Sequence, residues 1–137
     1  MGRDRLTARR RRAAAHRPPR DAFEIVNVWR PIRGPLRDAP LAICDATSVA
    51  FADFVPSDPV YCDRVGEIYR VRYNPAHRWF YVPEMRADEA VLIKCYDSVE
   101  DGRARFTAHS AFEDPTASPD VLPRESIEVR TLVFHHA

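Results

Sequence analysis

The residues best suited to chemistry in this 137-residue chain are His109, Arg124 and Ser126. A neutral imidazole is a good ligand for a divalent metal. Arg124 and Ser126 are two apart in a segment with strand alternation, and residues i and i+2 share a face of a strand. Their guanidinium and hydroxyl therefore point the same way. Together they form a receptor for a small carboxylate: the fork takes two oxygens and the hydroxyl donates a third hydrogen bond. Spacing alone leaves plainer readings open. A histidine at a strand end is often structural or simply at the surface, and an Arg-x-Ser pair is often part of a solvated sheet face.

Other groups with reactive chemistry have plainer assignments. His77 in the turn NPAH is read as structural, pairing with a backbone carbonyl, and Asp97 as a turn residue rather than a ligand. His135 and His136 stand at the terminus and are expected to fray. Cys44 and Cys95 lie in apolar segments and read as inert core thiols, and Cys62 lies in a loop with no neighbouring base to activate it. No glycine-rich phosphate loop, G-x-S-x-G elbow or H-E-x-x-H motif is present.

The elements that must position these residues read as strands. Phe23, Ile25, Asn27 and Trp29 alternate with Glu24, Val26, Val28 and Arg30, which predicts a strand apolar on both faces and hence central. Residues 31–40, with three prolines and a glycine, predict a turn region. Further strands are expected at 41–44, 67–73, 79–82 and 86–96, with 53–63 a loop. Asp101-Gly102 is a hairpin-type dipeptide, so 103–109 should run back antiparallel to the preceding strand. A loop over 110–123 leads to a last strand, 124–134, with Arg124, Ser126, Glu128 and Arg130 on one face and Ile127, Val129, Thr131 and Val133 on the other. Short strands without a long helix indicate an all-β antiparallel sandwich or barrel.

Composition narrows the function classes. The chain is long enough for one domain, and 30% charged with 45% apolar residues excludes fibrous and wholly disordered classes. No apolar run approaches the roughly 18 residues of a membrane span. Three separated cysteines suit free thiols in a reducing cytoplasm better than a disulfide framework or a zinc site. Charge is divided: residues 1–20 hold eight Arg and one Asp, whereas 21–137 hold 13 basic and 19 acidic residues. We therefore divide the chain into a disordered Arg-rich arm, 1–20, and a folded domain, 21–137. The arm lacks interleaved aromatics and the domain is acidic, so specific nucleic-acid binding is not expected.

The segments NVWRPIRGPLRDAPLAICDATSV (27–49), GEIYRVRYNPAHRWFYVPEM (66–85), KCYDS (94–98), HSAFEDP (109–115) and PRESIEVR (123–130) resemble the CmcJ/NvfI family of oxidoreductases. The resemblance runs through nearly all of 23–134, and five motifs in order make it specific. It implies the C-terminal part of a double-stranded β-helix, or jelly roll, of the Fe(II)/2-oxoglutarate oxygenase type. Such proteins carry out hydroxylation, desaturation or a related oxidation on small, secondary-metabolite-like molecules. By resemblance, His109 matches the distal iron histidine, and Arg124 and Ser126 match the 2-oxoglutarate carboxylate site. The family's H-x-D lies upstream of the N-V-W-R-P segment, where this chain has only the arginine-rich stretch. His16, followed by Arg17 and Pro18, supplies no such motif. No catalytic residue is assigned, and without that motif this chain alone falls short of the family's iron-ligand set. Its alternative role is a non-catalytic remnant that binds a small carboxylate. Missing strands would also expose a sheet edge, so self-association or poor solubility is expected.

Overall fold

Alternating apolar residues in short runs, broken by proline, build strands throughout. In the computed structural model, which describes residues 22–60, 62–63, 66 and 68–135, they are β1 (Phe23–Pro31), β2 (Leu41–Cys44), β3 (Phe54–Ser57), β4 (Ile68–Val71), β5 (Trp79–Tyr81), β6 (Val91–Asp97), β7 (His109–Ala111) and β8 (Ser126–Phe134). The arm assigned to 1–20 lies outside the described residues, as does His136. The helical content of the described residues is two 3-10 turns, Ala46–Ser48 and Phe51–Asp53.

All pairings are antiparallel. One sheet has the order β6-β1-β8, a second β5-β2-β7, and β3 pairs with β4 apart from both. β1 is central, in keeping with its two apolar faces. The sheets meet across a core in which Trp29, Leu36, Met85 and Ile93 are buried, with Leu41, Ile43, Val91 and Cys95 packed against them. Two facing antiparallel sheets of this order make a partial double-stranded β-helix.

Residues opposite each other in a ladder point to the same side, so the register says what faces the space between the sheets. From the first sheet these are Asn27 and Trp29 on β1, with Ser126, Glu128 and Arg130 on β8 and Val91 and Ile93 on β6. From the second they are Leu41 and Ile43 on β2, with Phe80 on β5 and His109 and Ala111 on β7. The polar face of β8 is thus the inner one. Its apolar residues Ile127 and Val129 lie on the outer face, 47% and 54% exposed.

Several elements depart from expectation. The segment read as a loop over 53–63 contains β3, which tolerates Pro56 because it has a single strand partner in a two-stranded sheet. Asp101-Gly102 does turn the chain, with Gly102 at φ 92°. The returning residues do not form a hairpin with β6, however. They make isolated contacts, Thr107 N–H to the Lys94 carbonyl and Cys44 N–H to the Ala108 carbonyl, and cross to the other sheet, where β7 pairs with β2. β6 begins at Val91 because 86–90 is held as a turn by Glu89, whose carboxylate accepts from the Arg86 N–H. β8 begins at Ser126, two residues later than expected. His135 does not fray. Its N–H donates to the Ala22 carbonyl, and its Nε2 lies 3.5 Å from Glu24.

Candidate functional site

His109 opens β7 opposite Ile43, on the inner face. Its Nδ1 lies 2.8 Å from the Thr107 carbonyl oxygen, a contact made by an Nδ1–H donor. That bond fixes the tautomer and leaves the Nε2 lone pair for a ligand, the arrangement that orients metal-binding histidines. The ring is exposed, and Phe80, on the same face across Ile43, is 60% exposed.

Arg124 stands just before β8, and its guanidinium carbon is 6.0 Å from the centroid of the Trp29 ring. Since Trp29 is an inner residue, this places the cation on the inner side, the side that Ser126 faces from opposite Pro31. The shared face inferred from the i, i+2 spacing is therefore present, although Arg124 lies outside the strand. Its Nη1 donates to the Ala39 carbonyl at 2.7 Å and its backbone N–H to Asp38 Oδ2 at 2.8 Å. Ala39 has φ 42°, a left-handed conformation strained for alanine, in the segment that aims this carbonyl at Arg124. Among the described residues the other guanidinium nitrogens of Arg124 and the Ser126 hydroxyl have no protein partner, which leaves donors for a carboxylate.

The structure makes no direct contact between His109 and this pair. They meet through β2: Arg124 holds the lead-in at Ala39, and His109 pairs with Ile43. A cleft of about 370 Å³ lies beside Arg124, lined by Arg33, Leu36 and Leu122 among others. Neither His109 nor Ser126 lines it, so of the three residues it adjoins Arg124 alone.

His77 does not pair with a carbonyl. Its Nε2 lies 3.0 Å from Asp53 Oδ2, and both side chains are nearly buried. Asp53 also accepts from Asn74 and from the Ala50 N–H. The His77 hydrogen bond, with these others, holds the Asp53 carboxyl below the usual carboxylate range despite its desolvation. Asp97 is the last residue of β6 and not the turn residue expected; its side chain is fully buried, accepts from the Val99 N–H just beyond the strand, and pairs with Lys94 Nζ at 2.6 Å. Burial would raise its pKa, but Lys94 and the Val99 amide draw it below the ordinary value. Burial pushes the Cys95 thiol up, as an inert core thiol requires. On the inner face, buried Asn27 donates to Glu128 and accepts from Arg130 Nε at 3.2 Å. Sequence reasoning missed this trio, for which the signal was a lone amide within the apolar stretch Ile25–Trp29 of the central strand.

Two facing antiparallel sheets of this order, with the His109 imidazole on the inner face of one, have the double-stranded β-helix fold of the oxygenase class. A family model described as "Oxidoreductase/YMDC permease-like domain" matches residues 2–134, and the chain belongs to that oxidoreductase family, which agrees with the CmcJ/NvfI resemblance. Its relatives include aspirochlorine biosynthesis protein N of Aspergillus oryzae, 39% identical over 135 residues, covering 92% of this chain and 56% of that protein. The hydroxylase/desaturase asaB of Aspergillus flavus is 44% identical over 127 residues, covering 82% and 55%. Among solved structures, the iron and alpha-ketoglutarate-dependent endoperoxidase NvfI superposes with a TM-score of 0.76 at 33% identity, over 85% of this chain and 44% of that one. The chain thus spans about half the length of the relatives it matches.

The donor set fits the implied cofactors in part. Arg124 and Ser126 suit a dicarboxylate, and His109 offers one nitrogen. Among the described residues no three His, Cys, Asp or Glu side chains come together as a metal cluster. These residues do not by themselves make an iron site. No helix among the described residues is long and apolar enough to cross a membrane.

Proposed function

We propose that this chain supplies the distal half of an Fe(II)/2-oxoglutarate oxidoreductase site that hydroxylates, desaturates or otherwise oxidises a small molecule. His109 is one metal ligand, Arg124 and Ser126 take the carboxylate of 2-oxoglutarate, and Phe80 gives the substrate an apolar wall. The observation that carries this reading is the pairing of an inward imidazole, pinned through Nδ1, with inward donors that lack protein partners. The names of the relatives support the same cofactors and chemistry. The 20/21 boundary between arm and domain belongs to the same reading, and so does a cytoplasmic setting, which the free Cys44, Cys62 and Cys95 favour.

With no three-ligand cluster among the described residues, the second reading is a non-catalytic module that binds a small carboxylate through Arg124 and Ser126. Anaerobic calorimetry tests both. On the first reading 2-oxoglutarate binds more tightly with Fe(II) present, and that gain is lost in His109→Ala. On the second, 2-oxoglutarate binds without metal and is lost in Arg124→Met and Ser126→Ala. Ligand binding indifferent to all three substitutions overturns both.

A further inference from the structure

Arg124 lies outside the β1–β8 ladder, whose last pair is Pro31 and Ser126. The segment leading into β2 holds it instead. Asp38 Oδ2 accepts the Arg124 backbone N–H at 2.8 Å, and the Ala39 carbonyl accepts from Nη1 at 2.7 Å. Two consecutive residues thus grip Arg124 at its backbone and at its guanidinium. That segment is itself anchored. The Leu36 N–H donates to the Met85 carbonyl at 2.9 Å, and Leu36 is buried in the same cluster as Met85 and Trp29. Arg37 Nε donates to Glu84 Oε1 at 2.8 Å. Beyond Ala39 the chain enters β2, where Leu41 pairs with Ala111.

Two features of this grip are unfavourable in themselves. Ala39 sits at φ 42°, a left-handed conformation that its Cβ disfavours. Strain of this kind persists where surrounding contacts over-determine it, and it clusters at ligand sites. Asp38 places a carboxylate beside a receptor for an anion, where its charge repels the ligand. Both features make sense if the position of the guanidinium is what they secure. We propose that Asp38 is a positioning residue: it fixes the backbone of Arg124, while the strained Ala39 carbonyl fixes the plane of the fork, so that the carboxylate of 2-oxoglutarate meets a geometry already set. This rests on the reading that Arg124 takes that carboxylate.

Calorimetry of 2-oxoglutarate binding to the full chain tests it, with circular dichroism and urea midpoints to follow folding. Asp38→Ala removes the acceptor and should weaken binding about tenfold. Asp38→Asn keeps an acceptor oxygen and should bring the affinity back to within about twofold of the parent chain. If Asp38 acted by its charge, both variants would bind more tightly. If it served folding alone, the midpoint would fall with the affinity unchanged. Ala39→Gly relieves the strain and loosens the carbonyl, so its midpoint should rise while its affinity falls about threefold or more. Unchanged or tighter binding in Asp38→Ala, or Asp38→Asn as weak as Asp38→Ala, would overturn the proposal. Should Asp38→Ala not fold, Ala39→Gly decides, and an affinity equal to or above the parent's overturns it. A parent chain that binds no 2-oxoglutarate, or binds it equally well after Arg124→Met, overturns the underlying reading and this proposal with it. Binding lost in Arg124→Met but unchanged in Asp38→Ala overturns this proposal alone.

Discussion

The planar fork of Arg124 lies over Trp29 with one nitrogen committed to the Ala39 carbonyl, so its use to a ligand depends on the fork as well as on its charge. A lysine keeps the charge and loses the fixed geometry. Arg124→Lys should therefore weaken 2-oxoglutarate binding about tenfold in calorimetry while leaving the urea midpoint nearly unchanged. The Asp53–His77 pair makes a separate prediction. The folded-state pKa of Asp53 is lowered, so its contribution to stability is complete above the unfolded carboxylate value near 4 and is lost as pH falls through the folded value. Asp53→Asn should lower the melting temperature by several degrees at pH 6 and flatten the decline of the urea midpoint between pH 5 and pH 3. The site residues differ in how far the sequence revealed them. Arg124 and Ser126 could be read because a two-residue spacing places both on one face. His77 and Asp53 are 24 residues apart, and nothing local to either marks the other as its partner.

At the scale of elements, the turn between β1 and β2 leaves no room for a side chain at its glycine. A Cβ on Gly34 would lie 2.9 Å from the backbone at Arg86 and at Ala87. Backbone cannot swing aside as a side-chain tip can, so Gly34→Ala should cost about 1–3 kcal/mol in denaturant unfolding, as overpacked sites do. The C-terminal end of β6 depends on Lys94, which bridges Asp97 and Glu24. Lys94→Met would leave the buried Asp97 carboxylate without its cation. We expect a loss of about 2 kcal/mol, below the usual cost of breaking a buried pair because Lys94 itself is partly exposed. Strands with strong alternation, such as β1 and β2, could be read from the sequence almost to the residue. β3 could not, because Pro56 argues against a strand unless an edge position is already known. The route from β6 to β7 was hidden for another reason: Asp101-Gly102 encodes a reversal but not which sheet the chain rejoins. Nor did alternation in β8 reveal that its polar face was the inner one, because both faces carry exposed residues.

At the scale of the sheets, the site strands are edge strands among the described residues. β7 closes one end of the order β5-β2-β7 and β8 one end of β6-β1-β8, so His109 and Ser126 are held from one side while β1 is held from both. The buried apolar cluster centres on Trp29, Leu36, Met85 and Ile93, and β1 contributes its largest member. Local opening free energies follow such differences in pairing and burial, from near zero at frayed edges up to the global value in the core. Amide exchange followed by mass spectrometry should therefore find β1 slowest, exchanging only with global unfolding. The three-residue β7 should exchange faster than β1 and β6. Fe(II) together with 2-oxoglutarate should slow exchange in β7 and around residues 124–126 more than in β4, which lies in the separate β3–β4 pair. That ordering distinguishes a ligand seated between the sheets from general stabilisation, which would slow every strand that opens globally. Protection of β7 equal to that of β1 in the ligand-free chain would mean that its outer edge is already covered.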